Sequence, residues 1–188
     1  MFDYKSILRD FEGGYANAAG DKGGETWCGI ARNFWPLWEG WARIDAAKKD
    51  QSFPKNLDTD FTLHDMKDKF YLDNFIYKYS LDKMPDIVGA ELFDQLINRS
   101  QKNVIMDLQF CLNAMNCVYD KTTKTYKKIF DDLTADGNMG PKTIAAVQAV
   151  NAAALEKALN RMQGHNYVIT AAVQPGQRKF FNGWLART

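Results

Sequence analysis

The sequence predicts a mainly α fold with a small loop or β-hairpin near its N-terminus. Three observations carry that expectation. Apolar residues recur at three- and four-residue spacing along most of the 188-residue chain. Proline and glycine stand where those periodic segments begin and end. One glycine-rich stretch, residues 13–29, lacks the helical period. Seven or eight helices are expected, with little strand and no internal repeat.

Tyr4, Ile7, Leu8 and Phe11 share one stripe, so residues 3–11 read as an amphipathic helix closed by Gly13-Gly14. Asp21-Lys22-Gly23-Gly24 supplies a turn. Tryptophans crowd positions 27, 35, 38 and 41, and the polar residues 42–60 read as irregular or briefly helical. Thr62-Leu63-His64-Asp65 has the form of a capping box that opens a helix through about Phe75. Pro85 begins the next helix, with Val88, Leu92, Phe93 and Leu96 facing inward. Another covers 101–116 and carries Val104, Ile105, Leu108, Leu112 and Met115. Residues 117–135 are rich in Lys, Thr and Asp, as in an exposed hairpin or loop. Asp136-Gly137-Asn138-Met139-Gly140 makes a tight turn, and Pro141 opens a helix with Ile144 and Val147. Helical stretches at about 152–172 and 175–187 complete the chain.

A hydrophobic share of 46% and a charged share of 25% describe an ordinary folded chain. The net charge of +1 hides an asymmetry, because residues 1–94 carry 12 basic and 17 acidic side chains and residues 95–188 carry 12 and 6. Scattered solubility charges weigh more here than a polyanion site, so no nucleic-acid partner is expected. The three cysteines (28, 111 and 117) have no metal-ligand spacing and read as buried thiols of a protein made in a reducing compartment. No apolar run reaches the roughly 18 residues of a membrane span. The early charges of Met1-Phe2-Asp3-Tyr4-Lys5 do not make a signal peptide. A monomer that is synthesised in the cytoplasm and does not insert into a membrane is expected. Neither a metal nor a cofactor is called for. Asp132-x-Thr134-x-Asp136-Gly137 has Thr143 where a calcium loop needs Glu, and His64 and His165 read as surface or capping residues.

The dense chemistry lies between residues 12 and 26. Glu12 follows the first helix, whose C-terminal dipole disfavours a negative charge, so its carboxyl is suited to hold a proton. Glycoside hydrolysis needs such a donor at the leaving oxygen and a second group that handles water or the cationic sugar. Asp21 and Thr26 are the candidates for that second role, and the glycines let backbone approach a flat sugar chain.

The string Glu12-Gly-Gly-Tyr15, Asn17, Asp21-x-Gly-Gly-Glu25-Thr26-x-x-Gly29-Ile30 resembles the signature of glycoside hydrolase family 108. These are N-acetylmuramidases of bacteria and phages, some labelled secretion activators. A looser likeness reaches the wider phage-lysozyme pattern of Glu, eight residues, Asp or Cys, about five residues, then Thr; here eight residues separate Glu12 from Asp21 and four separate Asp21 from Thr26. Leu92-Phe93-Asp94-Gln95-Leu96-Ile97-Asn98 resembles the family's Phe-Asp-x-x-x-Asn helix behind the cleft, and Leu108-Gln109 its Leu-Gln pair. Asp136-Gly137-x-x-Gly140-Pro141-x-Thr143 resembles a turn of a small peptidoglycan-binding module, and Phe181-x-Gly183-Trp184-Leu185-x-Arg187 the closing helix. Departures at Ala18-Ala19, Asn74-Phe75-Ile76-Tyr77 and Arg99-Ser100 bear on the sugar subsites.

The resemblance implies a lysozyme-like catalytic lobe over 1–94 and a helical peptidoglycan-binding segment over 95–188 packed on it. Cleavage of the β-1,4 bond between N-acetylmuramic acid and N-acetylglucosamine would use Glu12, Asp21 and Thr26. Tyr15, Asn17, Trp27, Asp94 and Asn98 would contact the peptidoglycan strand. Without an export signal of its own, such a protein would reach the wall after release, as an endolysin does. A lytic transglycosylase and a non-enzymatic wall-binding or secretion-associated protein are the alternatives.

Overall fold

The computed structural model describes residues 1–9, 14–18 and 23–186. The chain folds as two compact units, one of Asp3–Lys78 and one of Tyr79–Thr188 with Met1–Phe2. Eight α-helices and two small antiparallel sheets are present among the described residues. The 94/95 boundary read from the sequence falls inside the fourth of those helices.

The first unit opens with α1, Tyr4–Arg9. Asp3 Oδ1 accepts the amides of Lys5 (3.1 Å) and Ser6 (3.2 Å), which satisfies two donors at the start of that helix. Three two-residue strands follow: β1 (Tyr15–Ala16), β2 (Thr26–Trp27) and β3 (Ile30–Ala31), antiparallel in that order. Tyr15 faces Trp27, and Thr26 has Ala16 on one side and Ala31 on the other. The β2–β3 turn is Cys28-Gly29, with φ of 46° and 79°, the double left-handed geometry of a two-residue hairpin. A Cβ at position 29 would lie 2.7 Å from the Tyr71 hydroxyl, which donates to the Cys28 carbonyl at 2.8 Å. Glycine is therefore needed for space as well as for φ.

Helix α2 (Gly40–Ala47), a 3₁₀ turn (Lys55–Thr59) and helix α3 (Phe61–Tyr71) complete this unit, and α3 continues as the π-helical segment Leu72–Tyr77. The capping box expected at Thr62 is displaced. Asp60 caps α3 instead, its Oδ1 accepting the Leu63 amide at 3.0 Å. A carboxylate is the stronger acceptor for that amide, and Arg43 holds it ionised from 2.8 Å. Trp27, Ile30, Trp41, Ile44, Leu57, Leu63 and Ile76 form the core.

In the second unit, α4 (Asp86–Asn98) and α5 (Gln101–Met115) both pack on the long helix α7 (Ala152–Val173). Buried Leu155, Leu159, Gln163, Tyr167 and Ala171 recur every fourth residue along α7 and explain why it is central. Leu92, Leu96, Ile105 and Leu108 are likewise buried on the helices that pack against it, each worth about 1.5–3 kcal/mol on burial. The hairpin β4–β5 (Val118–Asp120, Thr125–Lys127) is exposed as the composition predicts. The loop after it is pinned by asparagines of α5 and its C-cap. Asn113 exchanges 2.8 Å hydrogen bonds with the Leu133 backbone, and Asn116 Oδ1 accepts the amides of Ile129 and Phe130.

The Asp136 turn docks α5 onto α6 (Pro141–Ala149). Gln109 Nε2 donates to Asp136 Oδ1 (3.1 Å) and the Asn138 carbonyl (3.0 Å), and its Oε1 accepts the Gly137 amide at 2.9 Å. The stretch expected as one last helix is a 3₁₀ turn, Pro175–Phe180, followed by α8, Phe181–Leu185. Cys28 and Cys111 are buried as expected, but Cys117 is exposed, because it follows the end of α5 where the chain leaves the core. No described helix is long and apolar enough to cross a membrane.

Candidate functional site

The motif residues that the structure describes converge on the β1–β2–β3 sheet, while Glu12 and Asp21 lie outside the described residues. Thr26 is half-buried in β2, and its hydroxyl donates to the Gly24 carbonyl at 3.2 Å, leaving its lone pairs available to a water or ligand. Across the strand pair, Tyr15 packs edge-on against Phe53 with ring centroids 4.6 Å apart. Burial raises the Tyr15 phenol above its usual range, and a hydrogen bond to the Glu25 carboxylate adds to the effect, while Asn17 opposes it. Tyr15, Asn17 and Glu25 thus form one polar cluster along the hairpin, while Thr26, paired with Ala16, points to the other face of the strands.

Glu25 is the residue whose weight the sequence concealed. Only 8% of its side chain is exposed, yet it meets Arg32 Nη1 at 2.7 Å and Lys48 Nζ at 2.6 Å. Arg32 also grips Asp45 with both terminal nitrogens, at 3.0 and 2.6 Å, and lies over the Trp41 ring. Hydrogen bonds from Arg32 and then Lys48 hold the Asp45 carboxyl down at about 2. The Arg32–Asp45 and Glu25–Lys48 pairs fasten the hairpin to α2 across 13 and 23 positions of sequence, where no periodicity marks the pairing.

Beside the hairpin runs a groove of about 450 Å³ walled by Phe34, Trp35, Trp38 and Phe70, with Asp73 and Asn74 of the π-helical segment at its rim. Trp35 stands edge-on to Phe70 at 4.8 Å, and Trp38 stacks on Trp27 at 6.0 Å and 14°. A Cβ on Gly40 would fall 2.3 Å from the Trp38 ring, so that close approach also requires glycine. Trp27, expected to touch substrate, is only 1% exposed, so its indole braces the wall and Trp35 and Trp38 present the accessible faces. Phe34 (67% exposed) and Leu37 (93%) extend the apolar lip into solvent. Flat aromatic faces with an amide and a carboxylate beside them match the two characters of a sugar ring, apolar C–H faces and polar edges. His64, expected at the surface or as a cap, packs edge-on to Trp27 at 5.3 Å, because the turn it occupies faces the hairpin.

Asp94 and Asn98 belong to the other unit, where Asn98 Nδ2 donates to the Asp94 carbonyl (2.8 Å) and carboxylate (3.2 Å). One turn before Asp94, Glu91 has its carboxyl pushed up to about 7 by burial, against the opposing hydrogen bond from Gln95 Nε2 at 2.7 Å. Its burial on α4 gave no signal in sequence. Among the described residues, no group of His, Cys, Asp and Glu is arranged to hold a metal ion.

A helical chain with an N-terminal hairpin carrying this cluster, beside an aromatic groove, sets polar groups next to flat apolar faces. The chain belongs to the Glycosyl hydrolase 108 family, whose model matches residues 5–99. A second model, described as Predicted Peptidoglycan domain, matches residues 109–188. Among solved structures the chain is similar to SagA of Brucella abortus, with 20% identity over 97% of this chain and 90% of that one and a TM-score of 0.57. That likeness establishes the mainly α, lysozyme-like fold. Comparison with curated proteins gives no match. The family and the second domain together support hydrolysis of peptidoglycan.

Proposed function

We propose that the protein is an N-acetylmuramidase that hydrolyses the β-1,4 bond between N-acetylmuramic acid and N-acetylglucosamine. Glu12 donates its proton to the leaving glycosidic oxygen as the bond to the anomeric carbon breaks. Asp21 stabilises the positive charge at that carbon, or holds with Thr26 the water that adds to it. Water supplies the hydroxyl at the new reducing end, and its remaining proton returns the acid to its starting state. Tyr15 and Asn17 contact the strand from the hairpin, and Trp35 and Trp38 carry a neighbouring sugar.

The observation that carries this reading is the strand register. Tyr15 faces Trp27 and Ala16 faces Thr26, so the residues just after Glu12 lie beside the Glu25-Thr26 end of the motif. Two stretches ten residues apart in sequence thereby share one small sheet, which supports a reading in which acid and water-handling groups act on one bond. Mass spectrometry of peptidoglycan digested by the purified protein tests the proposal. Reducing muramic ends that have gained water support it. Anhydro ends would make the protein a lytic transglycosylase, and intact strands that retain bound protein would make it a wall-binding module.

A further inference from the structure

The outer face of α7 carries side chains that neither the hairpin nor the aromatic groove uses. Arg161, His165, Val168, Ile169 and Ala172 recur at three- and four-residue spacing and are all exposed, so they share one stripe turned away from the buried Leu159, Gln163 and Tyr167. Val173 ends the helix. Val168, Ile169 and Val173, with Phe180 and Leu185 in the segments that follow, are each between 41% and 68% exposed. Five large apolar side chains left in water within residues 168–185 exceed the scattered singles of an ordinary surface.

The charge around them has one sign. Residues 157–188 contain Lys157, Arg161, Arg178, Lys179 and Arg187 and no aspartate or glutamate. Among the described residues, no carboxylate pairs with Lys157, Arg161, Arg178 or Lys179. Arg178 instead donates from Nε to the Ala171 carbonyl (3.2 Å) and from Nη2 to the Ala172 carbonyl (3.4 Å). Those bonds fold the 3₁₀ turn Pro175–Phe180 back onto the end of α7 and leave a positive charge unopposed beside the stripe. Lys179 Nζ lies over the Phe180 ring at 4.8 Å. Phe180 stacks on Trp184 at 6.2 Å and Trp184 on the buried Tyr167 at 5.3 Å, which anchors this aromatic end in the core of the unit.

We propose that this face docks the protein on a bilayer surface rich in anionic lipid headgroups. The exposed aliphatic and aromatic side chains enter the boundary between headgroups and acyl chains, and the lysines and arginines meet the lipid phosphates. Long basic side chains reach outward from a helix that lies in the plane of the surface. The association is peripheral, since no described helix is long and apolar enough to cross a membrane. Two other occupants fit the face less well. A second copy would set its own positive charges against these. A nucleic acid would take the cations and leave the apolar stripe in water. Docking of this kind does not depend on the muramidase chemistry proposed for the other unit.

The test sediments the full-length protein with vesicles of phosphatidylcholine alone and of phosphatidylcholine mixed with phosphatidylglycerol. Binding to the mixed vesicles and not to the neutral ones is expected. Lys157→Gln combined with Arg161→Gln should weaken it roughly 25-fold, at about fivefold for each basic side chain near the surface. Ile169→Gln should weaken it roughly tenfold, because one large apolar side chain no longer enters the bilayer. All three positions are exposed on a helix and glutamine is a good helix former, so both variants should keep their Tm. Absent binding, equal binding to neutral and anionic vesicles, or binding that either folded variant leaves unaltered would overturn the proposal. Sedimentation velocity without lipid and titration with single-stranded DNA test the other occupants. A dimer that Ile169→Gln dissociates would assign the face to a second copy. DNA binding as tight as vesicle binding and indifferent to Ile169→Gln would assign it to a polyanion, and either result overturns the proposal.

Discussion

Glu25→Gln isolates the link between the buried charge cluster and the hairpin. The substitution keeps the shape of the side chain and removes its charge. Two charge-assisted contacts are weakened, to Arg32 at 2.7 Å and to Lys48 at 2.6 Å, at a side chain only 8% exposed. Hydrogen bonds to charged groups contribute about 1.5–3 kcal/mol each, and the glutamine oxygen retains part of that, so a loss of about 2–4 kcal/mol is expected. Neither cation is left alone, because both still contact Asp45, which keeps the loss below the roughly 3–5 kcal/mol of a fully broken buried pair. For a chain of this size the loss corresponds to a fall in Tm of roughly 5–15 °C. Asp45→Asn removes the other anion of the cluster, but that side chain is half exposed, so about 0–1 kcal/mol is expected. Thermal unfolding by circular dichroism gives the totals, and hydrogen exchange at the amides of residues 26–31 localises the loosening. An Asp45→Asn loss equal to or larger than the Glu25→Gln loss would refute the reasoning that burial sets the worth of these pairs.

Three further outcomes follow from the site and its surroundings. Thr26→Ala should lower kcat roughly 10–100-fold with KM little changed, in a reducing-end assay on peptidoglycan, and an unchanged kcat would remove its water-handling role. Phe34→Ala should raise KM about 3–10-fold with kcat intact, the worth of one aromatic contact at the groove lip; an unchanged KM would take the groove out of the substrate path. Glu91 has a folded pKa near 7, above its ordinary 4.5, so its contribution is full below pH 4.5 and is lost as pH rises through 7. The loss amounts to about 2–3 kcal/mol, and Glu91→Gln should flatten that slope in urea unfolding between pH 4.5 and 8. Equal slopes in wild type and variant would contradict the burial assigned to this carboxyl.

The helices were legible because their signals are local. Pro85, Pro141 and the apolar period mark α4, α5, α6 and α7, and the sequence boundaries lie within a residue or two of those in the structure. Caps were less legible, since Asp60 and Thr62 are both good capping residues and Arg43, seventeen positions upstream of Asp60, tips the balance. The Cys28-Gly29 turn was hidden because cysteine seldom adopts the left-handed conformation. The motif spacing singled out Thr26 and Tyr15, and the structure sets them on adjacent strands of one sheet. Which tryptophan faces solvent was not readable, because Trp27 and Trp38 differ in their neighbours on α2 and α3, not in local pattern. The same holds for Glu25, whose partners come together only once the hairpin meets α2.

The central claim is that one carboxyl, Glu12, supplies the proton that breaks the glycosidic bond. Release of reducing ends from purified peptidoglycan by wild type and Glu12→Gln, with unfolding curves for both, measures that claim most directly. The account predicts a loss of roughly 10²–10⁴-fold or more in the variant with an unchanged Tm. A Glu12→Gln protein that folds and still releases reducing ends at the wild-type rate would contradict it.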